Sequence, residues 1–183
     1  MKCKSFQQNL RETGAYETLT ADGYRKHPWL GRFDWWFHLS ALGIYLRGCT
    51  AASFGRYDDD GWTESSYQFL RLYENCGANV HVTGAKNLSS RPAVVVANHM
   101  SAAETYLLPA ILLSSGRLTI VIKRTLTNYP FFGTILKATD PIRVSRSNAR
   151  EDLRVVLEDG TAALNSGRSV LLFPQHTRYT HFD

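Results

Sequence analysis

An α/β fold, a layered sheet with flanking helices preceded by an amphipathic amino-terminal helical segment, is what this 183-residue sequence predicts. Three observations carry that prediction. From residue 79 onward, short β-branched apolar runs alternate with stretches whose apolar residues recur at helical spacing. The helical stretches carry start and stop signals, clearest at Asn148 with Glu151 three residues on and at Gly167 after the last turn. Before residue 79 that alternation is absent, and an aromatic-rich run takes its place. Alternating strands and helices pack as a sheet covered by helices.

In chain order, residues 1–28 are polar with little periodicity and are expected to form a loosely ordered arm. Residues 29–47 differ sharply: Trp29, Leu30, Phe33, Trp35, Trp36, Phe37, Leu39, Leu42, Ile44, Tyr45 and Leu46 are interrupted only by Arg32, Asp34, His38 and Arg47 among charged or titratable groups. That composition suits a helix lying in the headgroup boundary of a bilayer. It also suits a core helix packed under the sheet, and residue pattern alone leaves both open. Asp58-Asp59-Asp60-Gly61 lacks the downstream ligand spacing of a calcium loop and is expected to be a solvated turn. Tyr67, Leu70 and Tyr73 then place a core-facing helix over 64–76. The chain thus divides into an arm and aromatic helical segment, 1–78, and an α/β core, 79–183. Strands are expected near 79–84, 93–98, 118–123, 141–145 and 169–174, with helices near 101–114, 129–137 and 149–165. Leu153, Val156, Leu157 and Leu164 form one stripe on the last helix, expected to face the core.

Composition bounds the function more loosely. The length supports one domain with a sizeable core. A net charge of +5 suits anionic lipid, phosphorylated substrates or nucleic acid, but no Lys/Arg run with interleaved aromatics favours nucleic acid. Cys3, Cys49 and Cys76 are odd in number and lack metal-type spacing, which points to reduced thiols. No uncharged run approaches the roughly 20 residues of a spanning helix, and no secretory signal opens the chain.

The chemistry concentrates in Val94-Val95-Val96-Ala97-Asn98-His99-Met100-Ser101-Ala102-Ala103-Glu104. A strand-like run ends in Asn-His, and a carboxylate follows five residues after the histidine. Histidine accepts a proton near neutral pH, and does so best when a neighbour fixes its tautomer and stabilises the imidazolium. The competing reading is structural: Ser101 to Glu104 is a capping box, in which Glu104 returns to the Ser101 amide. The two roles are compatible. A zinc site built from His99, Glu104, His176 and His181 lacks the His-Glu-x-x-His spacing.

The block resembles the His-x4-Asp signature of the glycerolipid acyltransferases, specifically the lysophosphatidic acid (1-acyl-glycerol-3-phosphate) acyltransferase family, with Glu104 in the aspartate position. Downstream, Lys123-Arg124 follows a strand, and Tyr129-Pro130-Phe131-Phe132-Gly133 is similar to the family's Pro-x-Phe-Gly segment. Pro141-Ile142-Arg143-Val144-Ser145-Arg146 resembles the second block, with Asp140 where glycine is usual. Phe173-Pro174-Gln175-His176-Thr177-Arg178 resembles Phe-Pro-Glu-Gly-Thr-Arg, with Gln175 and His176 departing from it. The resemblance covers about residues 79 to 183, implies a glycerolipid-acyltransferase-like core, and favours the membrane-surface reading of the helical segment within 1–78, with a peripheral location at the cytoplasmic face of the membrane. Family members continue further, so the chain is expected to be the amino-terminal part of such a protein or a natural short form, with an open sheet edge in either case. The resemblance implies transfer of a fatty acyl group from a coenzyme A or acyl carrier protein thioester to a lysophospholipid, with no further cofactor and no metal. His99 is then the base and Glu104 its orienting partner. Arg146 is the candidate ligand of the acceptor's phosphate, since a guanidinium binds phosphate in a bidentate manner. Thr177, Arg178, Gln175 and Lys123 complete the expected substrate contacts. The alternative is a membrane-surface binding module of the same fold with weak or no turnover.

Overall fold

The structure is a computed structural model that describes residues 2–18 and 34–175. Its elements in chain order are α1 (Cys3–Thr13), β1 (Tyr16–Glu17), α2 (Asp34–Ser53), α3 (Asp59–Asn75), β2 (His81–Val82), β3 (Val94–Val96), α4 (Ala103–Leu112), β4 (Arg117–Lys123), α5 (Phe132–Ala138), β5 (Ile142–Val144), α6 (Ala149–Asn165) and β6 (Arg168–Leu172). The main sheet is parallel, in the order β3-β6-β4-β5.

This order explains which face each helix covers. From β3 to β4 to β5 the chain moves across the sheet in one direction, and α4 and α5 pack on the same face, with Leu112 and Leu136 against Leu118, Ile120, Ile122 and Leu171. The connection from β5 back to β6 reverses direction. A crossover of constant hand must then change face, and α6 does so: Ala163, Val155 and Val156 meet Ile142 and Val170 on the other side. The reversal leaves a crevice at the carboxyl ends of the strands, where open α/β sheets bind ligands.

The helix over 149–165 matches the expected bounds, and Asn148 caps it by accepting the Glu151 N–H at 3.2 Å. Its stripe matches only in part, at Val156 and Leu164, which pack toward the sheet. Leu153 and Leu157 are 59% and 61% exposed. The helix turns Val155, Val156, Ala163 and Leu164 to the sheet, and covers only part of that face, since Val94, in register with the buried Val170, stays exposed. The expected strand over 79–84 is also corrected. Only His81–Val82 is extended, and it pairs antiparallel with β1 in a separate two-stranded ladder rather than joining the main sheet. Gly84, at φ +73°, turns the chain away directly after it.

The amino-terminal arm is helical over Cys3–Thr13, not loosely ordered. Phe6 and Leu10, one turn apart, are fully buried against Tyr16, Tyr67, Leu70 and Ala110. Two apolar positions among polar neighbours give little periodicity, so tertiary packing stabilises this helix where propensity does not. The buried Glu74 carboxylate fastens the arm. It accepts from the Tyr16 hydroxyl at 2.5 Å and the Thr18 hydroxyl at 2.8 Å, and pairs with Arg71 at 2.5 Å. Asp58 is a helix cap rather than a free turn residue, accepting the Gly61 N–H at 3.0 Å to start α3.

The aromatic segment satisfies parts of both sequence readings. Ala41 and Ile44 of α2 are buried against Phe69 and Leu72 of α3. Trp35, Leu39, Leu42 and Leu46, spaced by three and four residues, form an exposed ridge. Among the described residues no helix is long and apolar enough to cross a membrane. Trp29 to Phe33 lie outside the described residues.

Candidate active site

All four parallel strands point the same way, so the loops that follow them meet at one edge. His99 follows β3, Lys123 ends β4, Arg146 follows β5, and Phe173 and Gln175 follow β6; together they line one cleft of about 260 Å³.

The histidine is held from three sides. Its Nδ1 lies 2.9 Å from Glu104 Oε1, with both side chains about four-fifths buried. The Phe173 ring stands 4.7 Å from the imidazole, tilted by 32°. The Gln175 side-chain oxygen accepts the His99 backbone N–H, tying the β3 loop to the β6 loop. Glu104 also makes the capping-box contacts. It accepts the Ser101 N–H at 2.8 Å and the Ser101 hydroxyl at 2.5 Å, while the Ser101 hydroxyl accepts the Ala103 N–H at 3.0 Å to open α4. The same carboxylate thus starts the helix and faces the histidine.

Partial burial disfavours the charged form of Glu104. The Ser101 hydroxyl and amide, the Glu104 amide and His99 outweigh it and hold the carboxyl below its ordinary value. An ionised carboxylate only accepts, so in the neutral imidazole the proton sits on Nδ1 and the lone pair on Nε2. A base with a fixed tautomer and a buried counter-charge is suited to abstract a proton from an alcohol.

Arg146 adopts φ +60°, left-handed and uncommon for a non-glycine residue, and lines the cleft with Lys123. Arg124 does not join them; it lines a separate groove with Arg143 and Arg168. Thr177, Arg178, His176 and His181 lie outside the described residues. Among the described residues no three His, Cys, Asp or Glu groups are gathered as a metal site would require. Thr105 and Ile120 line both the cleft and a second cavity of about 50 Å³, whose walls include Tyr45, Phe69, Tyr106 and Phe132.

Two contributors escaped sequence reasoning. Phe173 was visible only as part of a block, with no sign that its ring would meet His99. Asp152, which receives N–H groups of the loop bearing Arg146, sits seven residues beyond Ser145 in a helix where an acid is unremarkable. No local pattern marks either contact.

A family model described as Acyltransferase matches residues 79–182. The chain is 34% identical over 123 residues to the 1-acyl-sn-glycerol-3-phosphate acyltransferase of Pseudomonas aeruginosa, an alignment covering 67% of this chain and 46% of that protein. It is 26% identical over 160 residues to the protein of that name from Saccharomyces cerevisiae, covering 81% of this chain and 52% of the relative. A third relative of the same name, from Cocos nucifera, is 28% identical over 102 residues, covering 56% and 32%. The chain therefore spans about half the length, or less, of these curated relatives. No solved structure shows a significant match. The matched region holds the parallel sheet, the cleft at its carboxyl edge and the paired His99 and Glu104, and with that match over more than half of its length the chain belongs to the acyltransferase family.

Proposed function

We propose that this chain transfers a fatty acyl group from a thioester to the free hydroxyl of a lysophospholipid, with 1-acyl-glycerol-3-phosphate as the acceptor. The observation that carries this reading is the 2.9 Å contact between His99 Nδ1 and Glu104 at the cleft floor. His99 Nε2 takes the proton of the acceptor hydroxyl as its oxygen attacks the thioester carbonyl carbon. The tetrahedral oxyanion collapses, the carbon–sulfur bond breaks, and the leaving thiolate takes the proton back from the imidazolium. Glu104 stabilises the imidazolium between these steps, and the base is returned unchanged.

Arg146 supports the choice of a phosphate-bearing acceptor. It enters the same cleft as His99, where a guanidinium binds a phosphate through paired hydrogen bonds, and Lys123 adds a second cation. The neighbouring aromatic cavity suits alkyl carbon rather than a headgroup. Thr177 and Arg178 are assigned to the acceptor by their block alone. Coenzyme A and acyl carrier protein both fit the donor role. The exposed Trp35, Leu39, Leu42 and Leu46 ridge of α2 supports peripheral docking on a membrane surface, which this reading assigns to the cytoplasmic face.

Purified protein incubated with each thioester and a panel of lysophospholipids tests the reading. Phosphatidate formed from lysophosphatidate is the expected product. Vesicle binding without thioester-dependent product would leave the binding-module alternative instead.

A further inference from the structure

Asp152 stands in the first turn of α6, outside the residues that line the cleft, yet its contacts converge on one that does. Asp152 Oδ1 accepts the Ser145 N–H at 2.7 Å and the Ser145 hydroxyl at 3.0 Å, and Oδ2 accepts the Arg146 N–H at 2.7 Å. Successive backbone N–H groups that turn toward one anion form a nest, a geometry that depends on the local backbone turn. Here that turn contains Arg146 at φ +60°. Desolvation works against ionisation of Asp152, but these bonds and the nearby Arg124 charge outweigh it and hold the carboxyl below its ordinary value. The group is therefore an anion at neutral pH. A plain helix-start role does not require these contacts, because Asn148 already caps α6 and Glu151 supplies a first-turn acid.

We infer that Asp152 is a positioning residue: it holds the Ser145-Arg146 turn left-handed and so presents the Arg146 side chain to the phosphate of the acceptor. This rests on the reading of Arg146 as the phosphate ligand. Without the carboxylate, Arg146 relaxes toward the right-handed or extended backbone that a non-glycine residue prefers, and its side chain leaves the strand in another direction. His99, Glu104 and the donor side are untouched.

The test is equilibrium binding of a short-chain lysophosphatidate and of the matching monoacylglycerol, which lacks only the phosphate. The proteins are wild type, Asp152→Asn, Arg146→Ala and the double variant. Arg146→Ala is expected to weaken lysophosphatidate binding about tenfold or more and leave monoacylglycerol unchanged. Asp152→Asn is expected to weaken lysophosphatidate binding roughly three- to tenfold, again without effect on monoacylglycerol. The double variant should bind no worse than Arg146→Ala, because Asp152 acts through Arg146. Should Asp152→Asn not fold, Asp152→Glu keeps the first-turn charge, misplaces the acceptor atoms by a methylene, and should show the same selective loss. Wild-type binding by the Asp152 variant, equal loss for both ligands, or additive loss in the double variant overturns the positioning role. Normal lysophosphatidate binding by Arg146→Ala overturns the reading of Arg146, and Asp152's role with it.

Discussion

At the scale of single residues, the site turns on one imidazole held by Glu104, Phe173 and Gln175. The pairing of His99 and Glu104 was legible in sequence, because five residues from a strand end into the first helical turn leave little freedom. The Gln175 contact was not legible, because no local pattern records that its side-chain oxygen accepts the N–H of His99, 76 residues away. Gln175→Glu retains an acceptor there and is expected to keep turnover close to wild type. Gln175→Leu leaves that N–H without its partner and frees the loop, so kcat should fall between about tenfold and a hundredfold, as small misplacements of catalytic groups do. Glu104→Gln should keep part of the helix cap and lower kcat, since the imidazolium loses its counter-charge. Stability tells the second half of that story. Because the folded-state pKa of Glu104 is lowered, its stabilising effect is fully present above the ordinary carboxylate range and is lost as pH falls through the lowered value. The melting-temperature gap between wild type and Glu104→Gln should therefore be widest near neutrality and narrow below about pH 4. A gap that widened with acid would show the sign to be wrong.

At the scale of elements, the sequence revealed strands and helices where apolar periodicity was dense and missed them where two or three buried residues did the work. The helix over 149–165 announced its cap, whereas α1 buries only Phe6 and Leu10. Glycine at position 133 shows what the Pro-x-Phe-Gly resemblance encodes physically. A Cβ there would stand 2.3 Å from the Thr127 carbonyl oxygen and 2.7 Å from its carbon, both backbone atoms. Gly133→Ala is thus expected to displace the Arg124–Asn128 turn from the start of α5 and destabilise the fold by about 1–3 kcal/mol in denaturant titrations. For α2, the exposed and buried faces separate two outcomes. Replacing Trp35 and Leu39 with Ser should weaken association with anionic vesicles while leaving the melting temperature within a few degrees of wild type (about what exposed substitutions cost). A steep fall in melting temperature would mean that the ridge is core. Ile44→Ala, on the buried face, should destabilise by about 2–4 kcal/mol.

At the scale of the whole molecule, strand order explains the site better than any one motif. The reversal between β5 and β6 sends α6 to the opposite face and opens the crevice in which loops from residues 97 to 175 meet. Alternating elements predicted the layers, but strand order depends on long-range pairing, such as Val95 with Leu171, which no local pattern records. The same long-range arrangement decides that Leu153 and Leu157 remain exposed, so Leu157→Gln should change stability by less than about 0.5 kcal/mol, unlike a core leucine. The central claim is that this fold brings His99 and Glu104 together to move an acyl group onto a lysophospholipid. The most direct test is mass-spectrometric detection of phosphatidate formed by purified wild type and His99→Ala from lysophosphatidate and an acyl thioester, alongside vesicle binding and thermal melting. General-base assistance accounts for roughly 10²–10⁴-fold in rate, so His99→Ala should lose at least about a hundredfold in turnover while folding and binding vesicles as wild type does. Near-normal phosphatidate formation by folded His99→Ala would contradict the account.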